Sequence, residues 1–134
     1  MDCVSAYFIA VMGHATILTL PLWRTSDFVL ASLPEQGSDP NDYRDLEASF
    51  VVCVVLSITF ALVEMCAIFA EIPAPSTAVV SIIAHSTATI LLLFLIIDQH
   101  PVRHFWIIFC LFSLSPLLIR CVQLSRLLRL KQIC

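Results

Sequence analysis

Apolar residues along this chain gather into four long runs, at about residues 4–23, 50–70, 77–97 and 105–121. A helix needs about 20 mostly apolar residues to cross the hydrocarbon of a bilayer, and each run comes close to that length. Backbone groups in lipid must be hydrogen-bonded internally, so a lone spanning segment is a helix. A transmembrane barrel would instead repeat alternating ten-residue segments, and none is present. The pattern predicts an all-α protein, a four-helix membrane bundle in one domain over residues 1–134. An acidic loop at 24–49, a tight turn at 71–76 and a polar hairpin at 98–104 join the spans, and a basic tail follows at 122–134.

Local signals support these joints. Pro73, Pro75 and Pro101 punctuate the ends of the second and third runs, because proline lacks an amide donor and crowds the preceding turn. Asp39-Pro40 places a capping carboxylate before a proline suited to a first helical position, so a helix is expected from about Pro40 into the second span. Asp39, Asn41 and Asp45 do not form a calcium loop, since the sixth position is Arg44 where that motif needs glycine. The first run does not read as a signal peptide: residues 1–10 carry no Lys or Arg, and the apolar stretch is nearly span length.

Composition agrees. Hydrophobic residues make up 60% of the chain, charged residues 13%, and the mean hydropathy is +0.97. A soluble domain is roughly 45–50% apolar and about 25% charged. The net charge of −3 gives no basic face for nucleic acid. The loop at 24–49 sets Arg24 and Arg44 against six acids, Asp27, Glu35, Asp39, Asp42, Asp45 and Glu47. The tail carries Arg120, Arg126, Arg129 and Lys131, so the bias of basic residues puts both termini in the cytosol and the acidic loop outside it. These four basic residues are expected at the lipid headgroups, as the end of the last helix or as an anionic-lipid site.

Candidate chemistry is sparse. Six cysteines show no C-x-x-C spacing, and none lies in the acidic loop. Cys53, Cys66 and Cys110 read as small apolar packing groups, whereas Cys3, Cys121 and Cys134 stand at the membrane edge, as inert thiols or as palmitoylation sites. With two glycines there is no phosphate-binding loop, and no serine sits in a nucleophile motif. Neither a catalytic set, a cofactor site nor a metal site is expected. Three residues resist the membrane: His14, Glu64 and His85. Their positions put all three roughly 10–15 Å in from the same edge at 1.5 Å per residue. Ser57, Ala61 and Glu64 share a stripe, as do Ser81, Ala84, His85 and Ala88, and small residues let helices approach in lipid. The three are therefore read as an interhelical polar contact, with a proton or ion path as the alternative.

The order of several features resembles the transmembrane protein 107 family over nearly the whole chain. These are His14-Ala15 in the first span with Trp23 closing it, the acidic loop with Tyr43 and Asp45, and Val63-Glu64. Ser81-Ile82-Ile83-Ala84-His85-Ser86 and Phe105-Trp106-Ile107-Ile108-Phe109 complete the set. The tail is more Arg-rich than that family leads one to expect. The resemblance implies a non-enzymatic scaffold and diffusion gate at the ciliary transition zone, acting with Meckel-syndrome-module membrane proteins such as tectonics. It also implies a role in ciliogenesis, ciliary membrane composition and Hedgehog signalling, and it supplies no catalytic residues. The alternative is a small proton-coupled transporter or channel using Glu64 with His85 and His14. Compact four-span exporters, however, hold their glutamate in the first span and are rich in glycine.

Overall fold

The computed structural model describes residues 2–34, 39–70 and 74–133. Among the described residues every regular element is helical. Four stretches are long and apolar enough to cross a membrane: Cys3–Leu30, Pro40–Phe69, Pro75–Ile97 and Val102–Val122. Only 22–33% of the residues in their most apolar windows are buried inside the bundle. The remaining faces present Ile9, Val52, Ile83, Ile90 and Leu111 outward, a continuous apolar surface that water would not tolerate and lipid matches. The protein is an all-α membrane four-helix bundle.

The first span does not stop at Trp23. Helix α1 runs over Cys3–Thr19, and Pro21 then removes a helical donor, so the chain tightens into a 3-10 turn at Leu20–Arg24. It resumes as α2, Thr25–Leu30, which folds Phe28 and Val29 into the bundle. Helix α3, Pro40–Ala70, has 31 residues and is about 46 Å long. The Asp39 carboxylate accepts the Asn41 amide at 3.0 Å in its first turn, the role its sequence position suggests. The turn around Glu71 and Pro73 lies outside the described residues, as do Glu35 and Cys134.

Helix α4 covers Pro75–Ile97. It ends in a Schellman arrangement: the His100 amide donates to the Leu95 carbonyl at 3.0 Å, and Gln99 between them takes a left-handed φ of 51°. The fourth span starts as α5, Val102–Ile108, widens into a π-turn at Phe109–Leu114, and continues as α6, Ser115–Ile133. The cause of the widening is Pro116, which is buried and cannot donate to the turn before it. The Ser115 hydroxyl partly compensates by donating to the Leu111 carbonyl at 2.7 Å.

Helix α1 packs against both α3 and α4, and the fourth span closes against the same two helices. The interior divides in two. At the loop end, Leu18, Phe28, Phe50, Leu92, Val102 and Phe105 form an apolar cluster. At the termini end, the smaller cluster of Tyr7, Val11, Ala61, Ile68 and Ala78 surrounds the polar groups.

Candidate functional site

The polar groups of the termini end come from all four spans. On α1 the inward stripe is Tyr7, Val11, His14 and Leu18, spaced by four, three and four residues as one helical face requires. On α3, Ser57, Ala61 and Glu64 point inward, and on α4, Ser81, His85 and Ala88 do so. His14, Glu64 and His85 are at most 2% exposed.

Glu64 is the hub. Its Oε1 accepts the hydroxyl of Tyr7, and its Oε2 lies 2.8 Å from Nε2 of His85. With the carboxylate ionised, both neighbours donate to it. A carboxylate in lipid is costly and is tolerated when it faces protein and is hydrogen-bonded. Two donors from two other spans meet that condition, and they tie α3 to α1 and α4 at once. The buried Ser81 hydroxyl lies beside the same pair.

His14 joins by ring packing. Its imidazole lies 5.1 Å from that of His85, with the planes inclined by 55°. Neither of its ring nitrogens has a hydrogen-bond partner, nor has Nδ1 of His85. Of the three residues singled out by depth, the structure thus brings Glu64 and His85 into a hydrogen bond and sets His14 against the second of them.

The sequence reading missed two members. Tyr7 stands one turn into α1, where a tyrosine reads as an interfacial anchor. Its signal was the seven-residue spacing to His14, which puts both on one face. Arg120 was expected at the headgroups with Arg126, Arg129 and Lys131. Its side chain instead turns back toward the bundle, with the guanidinium carbon 5.6 Å from the Tyr7 ring centroid. At that distance a cation is attracted to an aromatic face. Arg129 is exposed on α6, and the side chains of Arg126 and Lys131 lie outside the described residues.

Among the described residues no group of three metal-binding side chains comes together. Cys3, Cys66, Cys110 and Cys121 are free thiols on the outer surface, and Cys53 is free and buried. Cys66 and Cys110, read from the sequence as small apolar packing groups, stand on the outward faces of their helices. The arrangement among the described residues offers hydrogen bonds between helices.

A model of the TMEM107 family, described as a transmembrane protein, matches residues 3–124. The chain belongs to the TMEM107 family. Transmembrane protein 107 of Danio rerio is similar to it, with 24% identity over 115 residues that cover 84% of each chain. Transmembrane protein 107 of Rattus norvegicus is also 24% identical over 115 residues, 84% of this chain and 81% of that relative. No solved structure matches. The TMEM107 match takes in Tyr7, His14, Glu64, His85 and Arg120. It ends before Arg126, Arg129 and Lys131, so the distal basic tail lies beyond it.

Proposed function

We propose that this TMEM107-family protein is a non-enzymatic membrane scaffold of the ciliary transition zone. In this reading it supports ciliogenesis and ciliary membrane composition beside other polytopic proteins of the Meckel-syndrome module, such as tectonics. Both termini face the cytosol, and the acidic segment faces away from it. The observation that carries the reading is that Glu64 is engaged by partners on two other spans, with an apolar interior between this network and the loop end. Glu64 is occupied by Tyr7 and His85. Beyond His14 the interior toward the loop end is closed by Leu18, Phe28, Phe50, Leu92 and Phe105. The hydroxyls near that closure, Ser57 and Thr89, donate to carbonyls of their own helices at 2.8 and 2.7 Å. A proton path needs titratable groups along its length, and the described residues that close the loop end are apolar.

The test is the location of a tagged copy in ciliated cells. A ring between basal body and axoneme is the expected result. Uniform plasma-membrane or endoplasmic-reticulum staining overturns the reading. A liposome assay addresses the transporter alternative: wild-type protein should carry no pH-dependent proton flux. Flux that disappears in Glu64→Gln at unchanged stability would establish transport in place of scaffolding. Orientation is checked by single-cysteine labelling, in which a probe outside intact cells should not reach position 134.

A further inference from the structure

The lipid-facing surface of the bundle carries a shaped groove at its termini end. Val4, Ser5, Phe8 and Ile9 share one face of α1, beside the inward stripe of Tyr7, Val11 and His14. Ile68 and Phe69 of α3 supply the facing wall, and the groove so lined holds about 320 Å³. Phe8 and Phe69 meet edge to face, with ring centroids 5.8 Å apart, so two rigid rings set its shape. Ile68 is buried behind it, whereas Ile9 is 57% and Phe69 75% exposed, so the groove opens outward.

Its position fixes its medium. Both walls belong to stretches apolar and long enough to cross a membrane. Ser5 lies about 3 Å and Ile9 about 9 Å beyond Cys3, the first residue of α1, by helical rise. The groove therefore starts at the headgroup edge and runs toward the middle of the bilayer. Among the described residues that line it none is charged, and Ser5, whose hydroxyl is exposed at the headgroup end, alone is polar.

That lining selects among lipids. A phosphate headgroup is recognised by charged or convergent donors, which this lining lacks. Acyl chains are the solvent here, and ordering a flexible chain against rigid walls costs its rotamer freedom. A fused-ring lipid loses little freedom on binding and lays a flat apolar body on aromatic walls. A sterol joins such a body to a single hydroxyl, carried at the end that meets the membrane edge. We propose that the groove between α1 and α3 is a sterol site, in which Ser5 pairs with the sterol hydroxyl while Phe8, Ile9 and Phe69 pack on the ring system. The site does not depend on where in the cell the protein resides.

The experiment uses the full chain in phosphatidylcholine liposomes with a trace of a photoactivatable cholesterol analogue. Labelled residues are mapped by mass spectrometry. Wild type should be labelled within Val4–Ile9 and at Ile68 and Phe69, and excess unlabelled cholesterol should abolish that label. Ile9→Trp, which fills the groove from an exposed position, should lose the label at an unchanged thermal midpoint. Ile83→Trp adds the same bulk on the lipid face of α4, where Ile83 is 61% exposed, and should keep it. Ser5→Ala should bind about fivefold more weakly, the effect of one net hydrogen bond. The 3α-hydroxyl epimer should compete less well than cholesterol on wild type, a comparison that needs no substitution. Label spread evenly over the exposed apolar residues, left by excess cholesterol or unchanged in Ile9→Trp overturns the proposal. Label at the same residues from a photoactivatable acyl chain that cholesterol does not displace would assign the groove to bulk lipid. A dimer that shows no sterol label would assign it to a second copy of the chain, and either result also overturns the sterol site.

Discussion

The two ends of this bundle solve one problem by different means. Helices in lipid gain no hydrophobic free energy from meeting each other, so packing and interhelical hydrogen bonds must hold them. At the loop end the answer is shape. Phe28, Phe50 and Phe105 pack mutually, with ring centroids 4.9–5.4 Å apart and two of the three pairs edge-to-face. Polar contacts there sit at the rim: the Val102 amide donates to the Ser32 hydroxyl at 2.8 Å, and Trp106 donates to Ser49 at 3.0 Å. At the termini end the answer is one carboxylate with donors from two other helices. The aromatic end spreads its stabilisation over many small contacts, whereas the polar end concentrates it in Glu64, so the two should fail differently.

The largest expected effect is at the hub. Glu64→Leu removes the acceptor of the Tyr7 hydroxyl and leaves His85 Nε2 buried without its partner, and a buried group so stranded costs about 1–3 kcal/mol. A loss of about 3 kcal/mol in reversible unfolding from bicelles is expected. Glu64→Gln, whose amide still offers an acceptor, should lose less than half as much. Next comes Phe50→Ala, which removes roughly 100 Å³ from the ring cluster and at about 24 cal/mol per Å³ should cost about 2 kcal/mol. If Phe50→Ala proves costlier than Glu64→Leu in the same measurement, the contrast between concentrated and distributed stabilisation is reversed. Tyr7→Phe keeps the ring under Arg120 and removes one donor to Glu64. Transmembrane hydrogen bonds average about 0.6 kcal/mol and reach about 1.7 kcal/mol, so a loss of about 1 kcal/mol is expected. A double-mutant cycle of Tyr7→Phe with Glu64→Gln should show coupling, and additivity would break the link between them. Smallest is a gain: Gln99→Gly relieves the left-handed φ at the end of α4 and, less the greater chain entropy glycine loses on folding, should raise stability by about 0.5 kcal/mol. No change there would mean that the loop end absorbs this strain elsewhere.

The sequence discloses these two ends unequally. The four-helix architecture follows from apolar length, and the Asp39-Pro40 start of α3 from local capping chemistry. Glu64 and His85 stand out because a charge or imidazole in lipid demands a partner, and their matched depth names one for the other. Pro21 misleads, since a proline after a long run resembles an ending, whereas the structure tightens there and continues through α2. Arg120 misleads for a different reason. Counted with its basic neighbours it belongs to the tail, and only the path of the fourth span past the π-turn brings it over Tyr7. The aromatic triangle was out of reach altogether: Phe28 lies in the acidic loop by count, and which rings meet depends on how α2 folds back.

The length of α3 has a mechanical consequence. Its 31 residues span about 46 Å, whereas the hydrocarbon is about 30 Å thick. The surplus stands above the membrane as a stiff post carrying Asp42, Asp45 and Glu47, continuous with the buried Glu64. From Glu64 to Asp42 the arm measures about 33 Å by helical rise. A tilt of about 10° at the buried end would sweep the acidic tip sideways by about 6 Å over that arm. The helix is thus a lever with its fulcrum in the bilayer, and its reach sets how closely another protein can approach the loop end of the bundle.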